Sequence, residues 1–173
     1  ADYIRKHKHF WSHLEVLDIG TGSGCIAVSL KKMFPDVGVT GMDISAQAIY
    51  MANQNAHLNH AKVNFVEENI LDMHTADGLG SVDIIVSNPP YIAHTEKQSI
   101  ENNVLKYEPH LALFAHENDP LIFYRAIAEM GEILVDRYLV IFCEINAALG
   151  KETKKIFKFQ PPDRKSTRLN SSH

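Results

Sequence analysis

Asp18-Ile19-Gly20-Thr21-Gly22-Ser23-Gly24 is the stretch on which the reading of this chain turns. Ahead of it lies a short apolar run, Leu14 to Ile19, with the sequence LEVLDI. A run of that length ending at glycines reads as a buried strand. Behind it, Ser23 to Met33 reads as a helix with Ile26, Ala27 and Leu30 on one face, stopped by Pro35. The stretch is therefore a strand-to-helix turn. Alternating glycines let the backbone turn tightly and let a ligand approach the main chain. Exposed amides and a helix N-terminus at such a turn favour negative charge. A dinucleotide-binding loop would carry its third glycine where Cys25 stands. The GxGxG spacing suits a ligand with a carboxylate better than one with a pyrophosphate. A plain glycine turn is the weaker alternative, given three alternating glycines directly after an apolar strand.

Working outward, strand and helix patterns alternate. Val37–Asp43, Lys62–Glu67, Val82–Ser87 and Tyr138–Ile145 read as strands. Ser45 is placed to cap a helix running to Leu58. Pro120 opens another, whose apolar stripe is Leu121, Ile122, Phe123, Ala126, Ile127 and Met130. Ala147 to Phe157 reads as the last helix. This alternation predicts an α/β domain with a mostly parallel sheet and helices on both faces. Ligands of such sheets bind beyond the carboxyl ends of the strands. Asp43 ends the second strand, where a carboxylate can accept hydrogen bonds from both hydroxyls of a ribose. Ile44 follows it, and Asn69 and Ile70 follow the third strand; a polar contact and an apolar wall there would suit a nucleobase.

Asn88-Pro89-Pro90-Tyr91 follows the fourth strand. Two successive prolines fix the backbone and remove two N–H donors, leaving carbonyls as acceptors. The Asn88 side-chain oxygen and the Pro89 carbonyl can then accept both N–H bonds of one NH2 group. Tyr91 offers a flat face on which a planar substrate can stack. An amide or aromatic amine nitrogen is a poor nucleophile because its lone pair is delocalised. Two acceptors that hold the NH2 can aim that lone pair, so catalysis rests on alignment and electrostatic support.

The composition excludes several classes. With 45% hydrophobic and 22% charged residues in 173, the chain reads as one ordinary globular domain. A net charge of −4 is a poor match to phosphate backbones, so nucleic acid is possible but disfavoured as a partner. No apolar run is long enough to span a bilayer and no signal peptide is visible, so a cytoplasmic protein without membrane contact is expected. Cys25 and Cys143 both sit in apolar surroundings and are expected to be buried free thiols. The ten histidines are scattered without paired ligand spacing, so no metal is expected.

DIGTGSGCIA, VSNPPYI and KYEPHLALF, in that order and spacing, resemble the release-factor glutamine methyltransferases of the HemK/PrmC type. The resemblance covers roughly Val16 to Phe157. NPPY alone is shared with DNA and RNA amino-methyltransferases; Tyr107-Glu108-Pro109 followed by Ala112-Leu113 favours the glutamine group. The resemblance implies a Rossmann-like class I fold and S-adenosylmethionine (SAM) as cofactor, with S-adenosylhomocysteine as product. It implies a peptide chain release factor as partner, methylated on the glutamine of its GGQ loop. Asp18, Gly20, Thr21, Gly22, Ser23, Gly24, Asp43, Ile44, Asn69, Ile70 and Asn88 would then hold the cofactor. Asn88, Pro89, Pro90 and Tyr91 would hold the glutamine amide, with Asn88, Pro89 and Tyr91 as the catalytic set. Glu108 has no derived role.

The expected domain is 1–160, with 1–13 as the end of a linker helix and 161–173 as a disordered or non-native tail. That tail does not resemble the final strand pair of the family, so the expected sheet lacks it. Three other readings stay open. They are an adenine or guanine amino-methyltransferase, a non-catalytic SAM-binding domain, and, against the GxGxG spacing, an NAD-dependent oxidoreductase.

Overall fold

Five strands form one parallel sheet in the order β3-β2-β1-β4-β5. They are β1 (Glu15–Ile19), β2 (Gly38–Asp43), β3 (Asn64–Glu67), β4 (Ile84–Ser87) and β5 (Val140–Cys143). The computed structural model describes residues 1–7, 13–89, 119–136 and 138–157. All five expected strands are present, each starting one or two residues later than its apolar run. Because β1 has β2 on one side and β4 on the other, the strand order reverses between β1 and β4. That reversal opens a crevice at the carboxyl edge of the sheet.

Register builds the core in rows. Val16 pairs with Ile84, which pairs with Val140; one residue on, Leu17 pairs with Ile85 and Ile85 with Ile141. Successive side chains point to opposite faces, so these two rows serve two cores. On one face Val16, Val39, Ile84 and Val140 pack with Ile4 of α1 (Asp2–His7) and with Ala27 and Leu30 of α2 (Cys25–Met33). On the other, Leu17, Ile19, Met42, Ile85 and Ile141 pack with Tyr124, Ile127, Met130 and Leu134 of α4 (Ile122–Leu134). Phe157, which follows α5 (Gly150–Ile156), joins that second core. Burial on both faces is why the central strands read as continuous apolar runs. Beside α2, α3 (Ala46–Leu58) lies against β2 and β3.

The helix signals held where they were chemical. Ser45 Oγ accepts the Ala48 N–H at 3.2 Å and starts α3. The C-cap of α2 is Phe34, directly before Pro35. They misled where only apolarity was available. In α4 the buried residues are Tyr124, Ile127, Ala128, Met130, Gly131 and Leu134, whereas Leu121, Ile122, Phe123 and Ala126 are half-buried. The apolar first turn hid the phase of the helix. Gly131 sets it, because a Cβ there would lie 2.8 Å from a Leu139 methyl. In α2, Val28 is buried and Ile26 exposed, the reverse of the expected face for Ile26.

The last expected helix is divided into a 3-10 turn, Ala147–Leu149, capped by Asn146 Oδ1 on the Ala148 N–H, and α5. A further 3-10 helix, Met73–Gly78, had no signal beyond Asp72, which accepts the His74 N–H.

Of the two thiols expected to be buried, Cys143 is, and its pKa is pushed up to about 12, first by burial and then by the Glu144 charge. Cys25 is exposed, since it is the first residue of α2 and lies off the core face. No helix among the described residues is long and apolar enough to cross a membrane. Among the described residues no group of three or more His, Cys, Asp or Glu could hold a metal ion.

Candidate functional site

Gly20, Gly22 and Gly24 all adopt left-handed backbone, with φ of +70°, +55° and +77°. Each would cost an L-residue about 1–2 kcal/mol, so the alternation of glycines in the sequence is a conformational requirement. The three differ in what surrounds them. A Cβ on Gly24 would lie 3.0 Å from both the Ala52 Cβ and the Phe65 ring, whereas nothing lies within 4 Å of one on Gly20 or Gly22. The first two therefore face open space, and the third packs the loop onto α3 and β3.

Most of the loop amides are used by the protein. Gly20 and Thr21 donate to the Met42 carbonyl at 2.9 Å, Gly24 donates to Thr21, and Gly22 donates to Asp43 Oδ2 at 2.9 Å. Among the described residues the Ser23, Cys25 and Ile26 N–H groups have no acceptor. The first turn of α2 thus keeps the donors expected of a helix N-terminus, but the anion site is narrower than the glycine pattern alone suggested. Asn55, which sequence reasoning missed, donates to the Ser23 carbonyl at 2.8 Å and ties the loop to α3.

Asp18 is 1% exposed. Its Oδ2 accepts from the Thr21 hydroxyl at 2.7 Å and from the Ala27 N–H at 3.2 Å. A strand carboxylate thereby caps a helix whose own N-cap, Gly24, has no side chain. The Thr21 side chain, buried, serves Asp18. Asp18 Oδ1 is buried without a partner. Burial raises the carboxyl pKa to about 6 against the pull of its two hydrogen bonds, with the Asp43 charge adding to the rise. A buried acceptor left open beside a glycine loop fits a ligand that brings a donor, such as an ammonium group.

Asp43 stands at the end of β2, half-buried, with Oδ1 on the Ser45 N–H at 3.0 Å and Oδ2 on Gly22. An ionised carboxylate has about four acceptor positions, so lone pairs remain for a ribose. Ile44 beside it is 48% exposed. Asn69 and Ile70 follow β3, both half-buried; Asn69 Oδ1 accepts the Leu71 N–H and Ile70 leans on the core.

Across the crevice, Ser87 ends β4 opposite Ile19. Asn88, exposed, and Pro89, buried, come next and so lie beside the start of the glycine loop. The fold brings the two loops read from the sequence to one edge, on adjacent strands. Pro90, Tyr91 and Glu108 lie outside the described residues. Ser87 itself was missed. Its hydroxyl donates to the Ile19 carbonyl at 2.9 Å, a contact visible only once strand pairing is known.

Known proteins resemble this chain in sequence and fold. The release factor glutamine methyltransferase of Flavobacterium psychrophilum is 49% identical over 146 residues, covering 84% of this chain and 50% of the relative. That of Bacteroides thetaiotaomicron is 50% identical over 139 residues, covering 79% of this chain and 49% of the relative. The chain thus spans about half the length of these curated relatives. Among solved structures, TrmN from Thermus thermophilus superposes with a TM-score of 0.53 at 20% identity, over 79% of this chain and 34% of that one. The fold is that of the class I methyltransferases. The methyltransferase small domain family matches residues 6–111, more than half of the chain. By that match, the chain belongs to the methyltransferase small domain family.

Proposed function

We propose that this chain is the catalytic part of a SAM-dependent methyltransferase that modifies the side-chain amide of glutamine in a peptide chain release factor. The observation that carries the reading is that Asn88 directly follows β4, the strand paired with the one that leads into the glycine loop. An acceptor for an NH2 group and a nucleoside-binding loop then share one crevice. The relatives named release factor glutamine methyltransferase support the choice of acceptor. Bound SAM supplies an electrophilic methyl on a sulfonium.

The chain's own residues hold and orient. Asp18 Oδ1 would take the ammonium of the cofactor's amino-acid end, and the open Ser23, Cys25 and Ile26 amides would serve its carboxylate. Asp43 would take the ribose hydroxyls, and Ile44, Asn69 and Ile70 would frame the adenine, with Ile44 supplying exposed apolar surface. Gly20 and Gly22 leave room for close approach. On the acceptor side, Asn88 Oδ1 and the Pro89 carbonyl would hold the two amide hydrogens, and Tyr91, outside the described residues, is the residue type that would offer the amide a flat face. Alignment of the nitrogen supplies most of the catalysis, and its proton leaves to solvent late. Release factors act in the cytoplasm, and the reading places the chain there.

The test is transfer of labelled methyl from SAM to a purified release factor. The expected result is incorporation that disappears when the GGQ glutamine is replaced by alanine. Incorporation into DNA or RNA with none into the release factor would overturn the choice of substrate.

A further inference from the structure

Ser87 is an oddity in its strand. β4 reads Ile84-Ile85-Val86-Ser87, and Ser87 is only 3% exposed. It lies in the row Ile19, Ser87, Cys143, at the carboxyl edge of β1, β4 and β5. Its hydroxyl donates to the carbonyl of Ile19, the last residue of β1, at 2.9 Å. Its own carbonyl accepts the Glu144 N–H at 3.0 Å, just past β5. One residue thus joins three strand ends. The chain leaves Ile19 directly into Gly20, whose N–H turns away to Met42. The Ile19 carbonyl therefore sits where β1 departs from the ladder, and an apolar residue at 87 would leave it buried without this donor. On the other side of the bond the next residue is Asn88.

We infer that Ser87 is a positioning residue for methyl transfer, its hydroxyl fixing the spacing between the glycine loop and the Asn88 loop. The inference rests on the proposed reading of those loops as cofactor and acceptor sites. A buried hydrogen bond between adjacent strand ends holds their register without touching either ligand. Loss of the bond lets the two loops shift relative to one another, and a misplacement of about 1 Å in such a reaction costs up to roughly 100-fold in rate. The glycine loop keeps its own bonds to Met42, Asp43 and Asn55, so the cofactor still binds.

The experiment compares the full chain with Ser87→Ala and Ser87→Cys in two measurements, S-adenosylhomocysteine affinity and kcat for methyl transfer to a purified release factor. For Ser87→Ala the expected result is a kcat lower by roughly tenfold, with the affinity and the release-factor KM changed less than about threefold. Ser87→Cys, similar in size but a weaker donor, is expected to fall between, and it carries the test alone if the alanine variant does not fold. Unchanged kcat in a folded variant, or parallel loss of affinity and kcat, would overturn the inference while the wild-type activity stands. A wild-type chain that neither binds S-adenosylhomocysteine nor transfers methyl overturns the proposed function, and this inference with it.

Discussion

Asp83, entering the sheet at its amino edge, and Asp18, leaving it at the carboxyl edge, are both aspartates whose pKa is raised chiefly by burial. Their surroundings are finished differently. Asp83 Oδ2 accepts the Glu15 N–H at 2.9 Å, and its backbone pairs with Glu15 and Val140, so it closes the ends of β1, β4 and β5. Asp18 concentrates two donors on one oxygen and leaves the other buried and bare. The same contrast runs along the two edges. The carboxyl edge carries left-handed glycines facing open space, an exposed Ile44 and unspent helix amides. Thr153 Oγ1 in α5 is also buried without a partner, so incompleteness alone does not mark a site; at Asp18 it stands beside the glycine loop, and that combination points to a ligand.

The largest effect should come from the acceptor side of the functional edge. Asn88→Ala is expected to lower kcat for methyl transfer by about 100-fold while S-adenosylhomocysteine affinity, read by calorimetry, stays within severalfold. Near-normal turnover would break the assignment of the NH2 site. Next come the glycines, which separate packing from access. Gly24→Ala meets Ala52 and Phe65 as well as the backbone penalty, and should destabilise by about 2–4 kcal/mol in urea unfolding. Gly22→Ala meets open space, and should cost only about 1 kcal/mol of stability while weakening cofactor binding. Equal destabilisation by both would erase the distinction.

The third effect is pH dependence. The Asp18 pKa is about 6 in the folded protein against 3.8 in its ordinary state, so between these values the folded chain holds the extra proton. The stability that this group contributes is complete below 3.8 and is lost as pH rises through about 6. An ammonium ligand prefers the ionised carboxylate, so S-adenosylhomocysteine should bind about tenfold more weakly at pH 5 than at pH 7. A flat profile over that range would remove Asp18 as its partner. The smallest effect belongs to the completed edge. Asp83→Ala should cost about 1 kcal/mol, the worth of one hydrogen bond, and leave cofactor affinity unchanged.

Much of this was legible in the residues. The parallel sheet followed from alternation, and the loop glycines could be read because each stands where the backbone is left-handed. Ser45 and Pro35 marked helix ends for the same reason. What escaped depends on three-dimensional registration. Ser87 reads as an ordinary polar strand end until Ile19 lies opposite it. Asp18 reads as a cofactor residue near the strand end, and its capping of α2 shows only when Ala27 and Thr21 converge on one of its oxygens. The buried face of α4 and the exposure of Cys25 were misread because apolarity was local and helix phase was not.

The central claim is that the glycine loop and its neighbours form a site for the methyl donor. Calorimetric titration of the chain with S-adenosylhomocysteine, with NAD as the control, tests it most directly. The account predicts saturable binding of the first and none of the second. A folded sample that does not bind S-adenosylhomocysteine, or that binds NAD more tightly, would contradict it.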